Sequence, residues 1–344
     1  MRDADRDLYP GCRQFSKLSF TVKLLHLKTF NRWSNKSFNM LLELLKEAFP
    51  EGETLHATYY EAKKVVRDLG LGYDKIHACK HDCVLFWKEN EFKNKCQECN
   101  TPRYVYDDRK KKRVPQKVLR HFPLIPRLQR LFISKKTAVD MRWHKDKLVD
   151  DEVLRHPADS EAWKDFDLKH MSFAMDGHNV RLGIASDRFN QFGNMSNSYS
   201  MWPVFVVPYN LPPWKCMKDP FFMMSLLIPG RKALGNDIDV YLQPLIIELK
   251  ELWDVGVSTY DAASGQNFCL WVAVLWTIND FPAYGNFSGW STKGKLACPS
   301  FNKDTSNKWL KHGNKTVYMR HRRFLPPNHK WRDSKTFDGM IEED

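Results

Sequence analysis

The sequence predicts an α/β protein, and three observations carry that prediction. Residues 180–186, 202–209 and 221–228 are short apolar runs rich in Val, Ile, Phe and Trp, separated by clusters of Pro, Asn, Asp and Gly. Runs of that length and composition read as strands. Residues 239–254 then repeat apolar side chains at helical spacing, with Leu245, Ile246, Leu249, Leu252 and Trp253 as the inward stripe. Asp237 or Asp239 is placed to cap this helix, and Pro244 is tolerable only in its first turn or as a kink. Finally, residues 270–279 resume strand composition and stop at Asp280, just as residues 180–186 stop at Asp187.

Strand with acid, strand, strand, helix, strand with acid is the chain order of an RNase H-like core. In that topology the first and fourth strands are neighbours, so Asp187 and Asp280 would meet at one end of the sheet despite their distance in sequence. Two carboxylates so placed can share a divalent cation such as Mg2+, as two-metal phosphoryl transfer requires. Strand-terminal aspartates also cap turns with no chemical role. Spacing alone leaves both readings open.

Upstream, the pattern is helical. Ser34 or Asn35 caps a helix that Pro50 ends, with Phe38, Leu41, Leu42, Leu45 and Ala48 on one face. A second helix over residues 58–69 stops at Gly70, and a third precedes both near residues 16–32. Three helices of this size make a small core, and the same pattern fits a helix-turn-helix-like module. Four cysteines follow at metal-ligand spacing, Cys79 and Cys83 with three residues between them, then Cys96 and Cys99 with two. Two thiolate pairs brought together by a hairpin form a closed tetrahedral site for structural Zn2+. His77 and His81 are alternative ligands nearby. Cys298 lacks a close cysteine partner, and His312, His321 and His329 are too dispersed to complete a site with it.

Charge placement says more than its total. The chain carries a formal net charge of +13, and residues 103–147 hold fifteen Lys or Arg against four Asp, a local net of +11. The densest part is Arg109, Lys110, Lys111, Lys112 and Arg113. Lys110, Lys111, Lys112 and Arg113 are the side chains expected to meet DNA phosphates, with affinity that falls steeply as salt rises and carries no sequence information. A nuclear-import patch or a solvated linker would have the same composition. No run of about 18 apolar residues offers a membrane span, and the polar residues 1–7 do not open a signal peptide. Phosphate-binding glycine loops, nucleophile elbows and His-Glu-x-x-His zinc sites are missing from the sequence, which removes support for nucleotide hydrolysis and zinc-protease chemistry.

Several stretches carry a family resemblance: Trp33-Ser-Asn-Lys-Ser-Phe, Tyr60-Glu-Ala-Lys-Lys, Ile76-His-Ala-Cys, Leu154-Arg-His-Pro-Ala-Asp, Tyr209-Asn-Leu-Pro-Pro-Trp, Ile278-Asn-Asp-Phe-Pro-Ala-Tyr and Ser288-Gly-Trp-Ser-Thr-Lys-Gly. Together they resemble the transposase of plant CACTA (En/Spm-type) DNA transposons. The resemblance implies a DDE-type transposase derivative that works in the nucleus on transposon-end DNA, with Mg2+ for chemistry and with self-association as a further expectation. Asp187 and Asp280 match the first two acids of the triad. Around the first acid this chain has Ser186-Asp-Arg-Phe-Asn-Gln-Phe-Gly193, where family members carry a glycine at the position of Arg188. Arginine there adds bulk and a cation able to pair with the carboxylate. The third acid of the family lies beyond the region of resemblance, and Glu342 and Glu343 sit in a polar stretch that does not take its role.

The expected organisation has three parts. Residues 1–100 form a helical and zinc-ribbon-like region with the four-cysteine zinc site, residues 101–170 a basic connector, and residues 171–344 an RNase H-like transposase domain that is incomplete at its C-terminus, as in a truncated copy. Three functions follow from this reading: metal-dependent DNA cleavage and strand transfer in an intact relative, a catalytically dead DNA-binding remnant, or a zinc-stabilised protein-interaction module.

Overall fold

A computed structural model describes residues 6–149, 151, 153–189, 200–230, 237–292, 294–336 and 339–342. It opens with the three expected helices, α1 (Lys17–Phe30), α2 (Asn35–Ala48) and α3 (Tyr59–Val66). Each begins where a hydroxyl takes an orphan amide: Ser16 accepts from Ser19 N at 3.2 Å, Ser34 from Ser37 N at 3.0 Å and Thr58 from Glu61 N at 3.3 Å. Leu8, Leu24, Phe38, Leu42, Leu55 and Ala62 bury one another in a small core of their own. Gly70 turns the chain away from α3 at φ 73°, and a Cβ there would lie 2.4 Å from Pro126 Cβ, so only glycine fits.

The chain next lays down β1 (Asp74–Ala78), β2 (Leu85–Phe86), the hairpin strands β3 (Tyr104–Asp107) and β4 (Lys112–Pro115), and β5 (Lys117–His121). Helices α4 (Ile125–Ile133), α5 (Lys135–Asp140), α6 (Trp143–Asp146), α7 (Glu161–Lys169) and α8 (Met171–Met175) follow. Then come β6 (Val180–Ser186), β7 (Ser200–Pro208), the short α9 (Pro213–Cys216), β8 (Met223–Gly230) and the long α10 (Ile238–Asp254). The rest comprises a hairpin of β9 (Val257–Asp261) and β10 (Gln266–Leu270), then β11 (Val272–Ile278), α11 (Phe281–Ser288), β12 (Asn307–Leu310) and β13 (Lys315–Tyr318).

Seven of these strands form one mixed sheet in the order β11-β6-β7-β8-β5-β1-β2. Only β6 and β11 run parallel; the other neighbouring pairs are antiparallel. A parallel pair needs a crossover, which α10 and the β9–β10 hairpin supply. Buried nearly throughout, β6 reads as a continuous apolar run rather than an alternating one. Ile238, Tyr241, Leu245, Leu249 and Leu252 of α10 join the main core with Leu182, Val204, Val206, Leu226 and Ile228 from the strands and Leu128 and Phe132 from α4.

Five expectations are revised. The sheet crosses the boundaries expected near residues 100 and 170, because β1, β2 and β5 pair into the same sheet as β6 to β8 and β11. Within the expected basic connector, residues 101–147 form a hairpin, a sheet strand and helices. The inward face of α10 uses Tyr241 and Leu245, while Ile246 and Trp253 are exposed enough to leave the stripe. Asp237 precedes α10 without a side-chain cap, and Pro244 lies inside the helix. The run 270–279 is also two strands, broken at Trp271, whose carbonyl accepts from Val180 N at 2.9 Å and whose N–H donates to Asn179 Oδ1 at 3.3 Å.

Candidate functional site

The parallel pairing of β6 and β11 brings the two strand ends that lead into the acids to the same end of the sheet. Thr277 faces Ile184 and Ile278 faces Ala185, and the same register continued by two residues puts Asp280 beside Asp187. Both residues are exposed. Asn279, with its amide turned to donate, reaches Ser186 O at 3.2 Å and ties the two strand ends together. Asp280 is also a helix cap, its Oδ1 accepting from Ala283 N at 2.7 Å at the start of α11. Asp187 Oδ1 accepts from the amide of Arg188. The capping role of Asp280 is thus compatible with a place beside the end of β6. Of the motif around the first acid, residues 190–193 lie outside the described residues. Beside the strand ends is a shallow groove of about 520 Å3 whose lining includes Tyr209, Trp276, Ile278 and Asn279.

Behind the first acid, β6 is held by a group that sequence reasoning missed. Arg181 is 1% exposed and donates to Asp167 Oδ1 from Nε at 3.1 Å and from Nη2 at 2.5 Å. Its Nη1 donates to Asn179 O at 3.3 Å and lies at the same distance from His144 Nε2. The guanidinium stacks over Trp163 at 4.7 Å and Phe173 at 5.0 Å. Burial first, then the Arg181 cation, push His144 down to about 3, so the ring is neutral and can accept. The available signal was a lone arginine within an apolar run, which calls for a buried acid elsewhere. Gly183 on the same strand has no room for a side chain, since a Cβ would lie 2.5 Å from Tyr209 Cε2.

The four cysteines converge. Cys79, Cys83, Cys96 and Cys99 offer sulfurs that all lie within 4.8 Å of one another, with Cys79 Sγ 3.9 Å from Cys83 Sγ and 3.4 Å from Cys99 Sγ. Tetrahedral ligation at about 2.3 Å per bond requires sulfurs roughly 3.8 Å apart, so the group fits one metal ion and is compatible with zinc. Two tight turns build it. In one, Cys79 N donates to Val84 O at 2.9 Å and Asp82 takes φ 64°; in the other, Cys96 N donates to Thr101 O at 2.9 Å and Asn100 takes φ 56°. Burial pushes the Cys79 thiol up, and the His81 N–H, 3.4 Å from Cys79 Sγ, opposes this only in part. Hydrogen bonding with Thr101 pulls the Cys99 thiol down to about 6, whereas burial and then the neighbouring thiols push Cys83 up. Thiols crowded this closely share protons poorly, and a divalent cation removes the conflict.

Neither expected alternative joins the cluster: His77 accepts from Arg103 Nε at 2.9 Å, and His81 is absent from the converging set. Among the described residues, Cys298, His312, His321 and His329 do not form a second such group. Glu342 is buried between Arg320 and Arg322, at 3.4 and 3.6 Å, and serves as an ion-pair partner; Glu343 lies outside the described residues.

The basic run resolves into side chains with different roles. Lys117 pairs with Asp82 at 2.6 Å, Arg127 donates to Met224 O at 2.9 Å, and Lys145 donates to Ala174 O at 3.2 Å. Arg109, Lys110, Lys111, Lys112 and Arg113 instead stand exposed at the tip of the β3–β4 hairpin, with Lys110 Nζ 3.6 Å from Asp107. Among the described residues, no helix is long and apolar enough to cross a membrane.

The sequence model of transposase family tnp2 matches residues 151–344, the span that contains β6, β7, β8, α10 and β11. No curated protein matches the chain.

Proposed function

We propose, from the premise that the chain belongs to transposase family tnp2, that it is a DNA-binding protein of CACTA (En/Spm) type with a DDE active-site frame. The β8-β7-β6-β11 order, with α10 in the crossover, supports an RNase H-like core. The observation that carries the reading is the register of the parallel pair, Ile278 with Ala185, which continued by two residues would bring Asp280 level with Asp187. Two exposed carboxylates are hard oxygen donors suited to Mg2+, which would supply Lewis acidity toward a phosphodiester. The chain's own contribution is positional. Asn279 fixes the strand ends, α11 orients Asp280 through its cap, and the buried Arg181 and Asp167 pair holds β6. The four cysteines would hold structural Zn2+, and the ligands of the DNA surface would be Lys110, Lys111, Lys112 and Arg113. The substrate would be transposon-end DNA in a plant nucleus, engaged by self-associated copies.

A second reading, DNA binding without cleavage, is favoured by Arg188 beside the first acid and by the engagement of Asp280 as a cap. One experiment separates them. The full chain is incubated with supercoiled DNA carrying transposon ends, with and without Mg2+, alongside Asp187→Ala and Asp280→Asn. Asparagine keeps the cap and removes the charge. Mg2+-dependent nicking that drops at least about 100-fold in both variants supports cleavage, since even groups outside the first ligand shell cost 10- to 100-fold. Binding without nicking leaves the second reading; absence of both rejects the functional assignment.

A further inference from the structure

We infer that the β3–β4 hairpin is an arm that lies in the major groove of duplex DNA, and that the four-cysteine cluster aims it through Arg103. The inference deepens the DNA-binding reading above and rests on it. The two strands pair only with each other among the described residues. Val105 and Tyr106 are successive residues and point to opposite faces, yet they are 50% and 58% exposed, so the body of the protein covers neither face. At the tip, Asp107 Oδ1 accepts from Arg109 N at 3.0 Å and Lys110 N at 3.2 Å, and Lys111 at φ 49° completes the reversal. Five consecutive cations are thereby displayed at the tip beside one exposed acid, Asp108, with Asp107 drawn into the turn. Two strands about 4.8 Å apart fit a groove about 12 Å wide, and cations at the tip and along β4 face the phosphates that wall it.

The root of the arm is built against the cysteine cluster. Arg103 Nε donates to His77 Nδ1 at 2.9 Å and Nη1 donates to Lys93 O at 3.2 Å and to Glu91 O. Its backbone N–H donates to Asn94 O at 2.8 Å, and Gln116 N closes the other strand onto Arg103 O at 3.1 Å. The acceptors therefore come from β1, which runs into Cys79, and from the segment leading to Cys96. Metal at the four sulfurs fixes both supports. Without it the tip keeps its charges and loses its direction. That dependence separates an aimed DNA arm from an import patch or a solvated loop, neither of which needs orientation.

The test uses the full, zinc-loaded chain, a random-sequence duplex, anisotropy across a salt series, and dimethyl sulfate protection of guanine N7. K110A/K111A/K112A/R113A should bind more weakly and flatten the log affinity against log salt slope by up to about 0.9 per lost phosphate contact. Protection of N7 should disappear with it. Arg103→Lys keeps the charge and loses the fork, and should weaken binding about 10-fold while zinc content stays at one per chain; Gln116→Ala, which removes the side-chain donation from Nε2 to Pro102 O at 2.6 Å at the same root, should fall between this variant and the wild type. Wild-type affinity, slope and N7 protection in the quadruple variant would refute the arm while leaving DNA binding intact. Unchanged binding in both Arg103→Lys and Gln116→Ala would refute the aiming role. A wild-type chain that fails to bind duplex DNA at low salt would instead remove the functional reading beneath both.

Discussion

Removing the metal from the four-cysteine site should destabilise the central sheet as well as the loops that carry the cysteines. Structural zinc in small peptides supplies roughly 10–16 kcal/mol at pH 7, as much as the whole folding stability of a typical domain, about 5–15 kcal/mol. Local loss is therefore expected in any case. The wider effect runs through Asp82, which occupies φ 64° inside the first cysteine turn and accepts from Lys117 of β5 at 2.6 Å and from the hydroxyl of Tyr241 on α10. Burial first and Asp82 second push the Tyr241 hydroxyl up, so it remains a donor. If the turn opens, Tyr241, fully buried, keeps an unsatisfied hydroxyl at about 1–3 kcal/mol. The Lys117 pair, its partners 20% and 18% exposed, adds about 1 kcal/mol after allowance for solvent. A total of about 2–4 kcal/mol reaches the sheet, which lowers the melting temperature by roughly 4–16 °C on the scale of 2–4 °C per kcal/mol for domains of similar size. The assay is metal analysis together with melting followed by tryptophan fluorescence, whose twelve reporters include Trp202 in β7 and Trp276 in β11, for the wild type with and without chelator and for Cys96→Ser. Tyr241→Phe provides the control, since it cuts the link while keeping the cysteines. A protein purified without metal, or one whose sheet melts unchanged after its zinc is stripped, would refute the reasoning.

Other outcomes follow from the group behind β6. Asp167→Ala should cost about 2–3 kcal/mol, below the 3–5 kcal/mol of a fully buried pair because Asp167 is 30% exposed, and D167A/R181M should be more stable than D167A alone, since the second change removes the stranded cation; denaturant melts of the cycle decide it. Acid should weaken the fold early. His144 titrates at about 3 when folded against about 6.5 when unfolded, so its contribution is complete above pH 6.5 and is lost as pH falls toward 3, on the order of 2 kcal/mol by pH 5. His156 is lowered by burial and acts in the same direction. A stability flat between pH 6.5 and 5 would contradict this, and His144→Gln should flatten the slope. Gly183→Ala should cost about 1–3 kcal/mol, because the new methyl would meet the Tyr209 ring; an unchanged melt would show that the ring moves aside freely.

What the sequence revealed follows the range of the interactions involved. The hydroxyl cap at Ser34 and the apolar runs of β6, β7 and β8 depend on neighbours a few residues away, and they were legible. Cysteine spacing was legible for the same reason, since each pair sits in one tight turn. By contrast, β1, β2 and β5 belong to the main sheet through pairings that span much longer separations, such as Arg120 with Leu227. No local pattern encodes that partner. The β3–β4 hairpin was obscured differently. Its turn is made by Asp107 and cationic residues, so charge hid a reversal that Asn-Gly or Gly-Gly would have announced. Arg181 was overlooked because an apolar run around one arginine still reads as a strand, and only the folded chain shows Asp167 meeting it.

The shared sheet also changes how a metal dependence must be interpreted. The strand that leads into Cys79 and the strand that leads into Asp280 are five strand spacings apart in the sheet, about 24 Å at 4.8 Å per spacing. That is about three Debye lengths at physiological salt, so a cation at the cysteines exerts little direct field on the acids. It acts on them only through the fold, by way of Asp82, Lys117, Tyr241 and the strands between. Loss of nicking on chelation would consequently be expected even if every metal removed came from the cysteines. The informative titration adds Mg2+ back to a chain whose zinc is intact, and the informative variant is Asp280→Asn, which leaves the sheet, the cap and the cysteine cluster in place. A defect confined to that variant locates the chemistry at the acid pair, whereas one shared with Tyr241→Phe locates it in the frame that holds them.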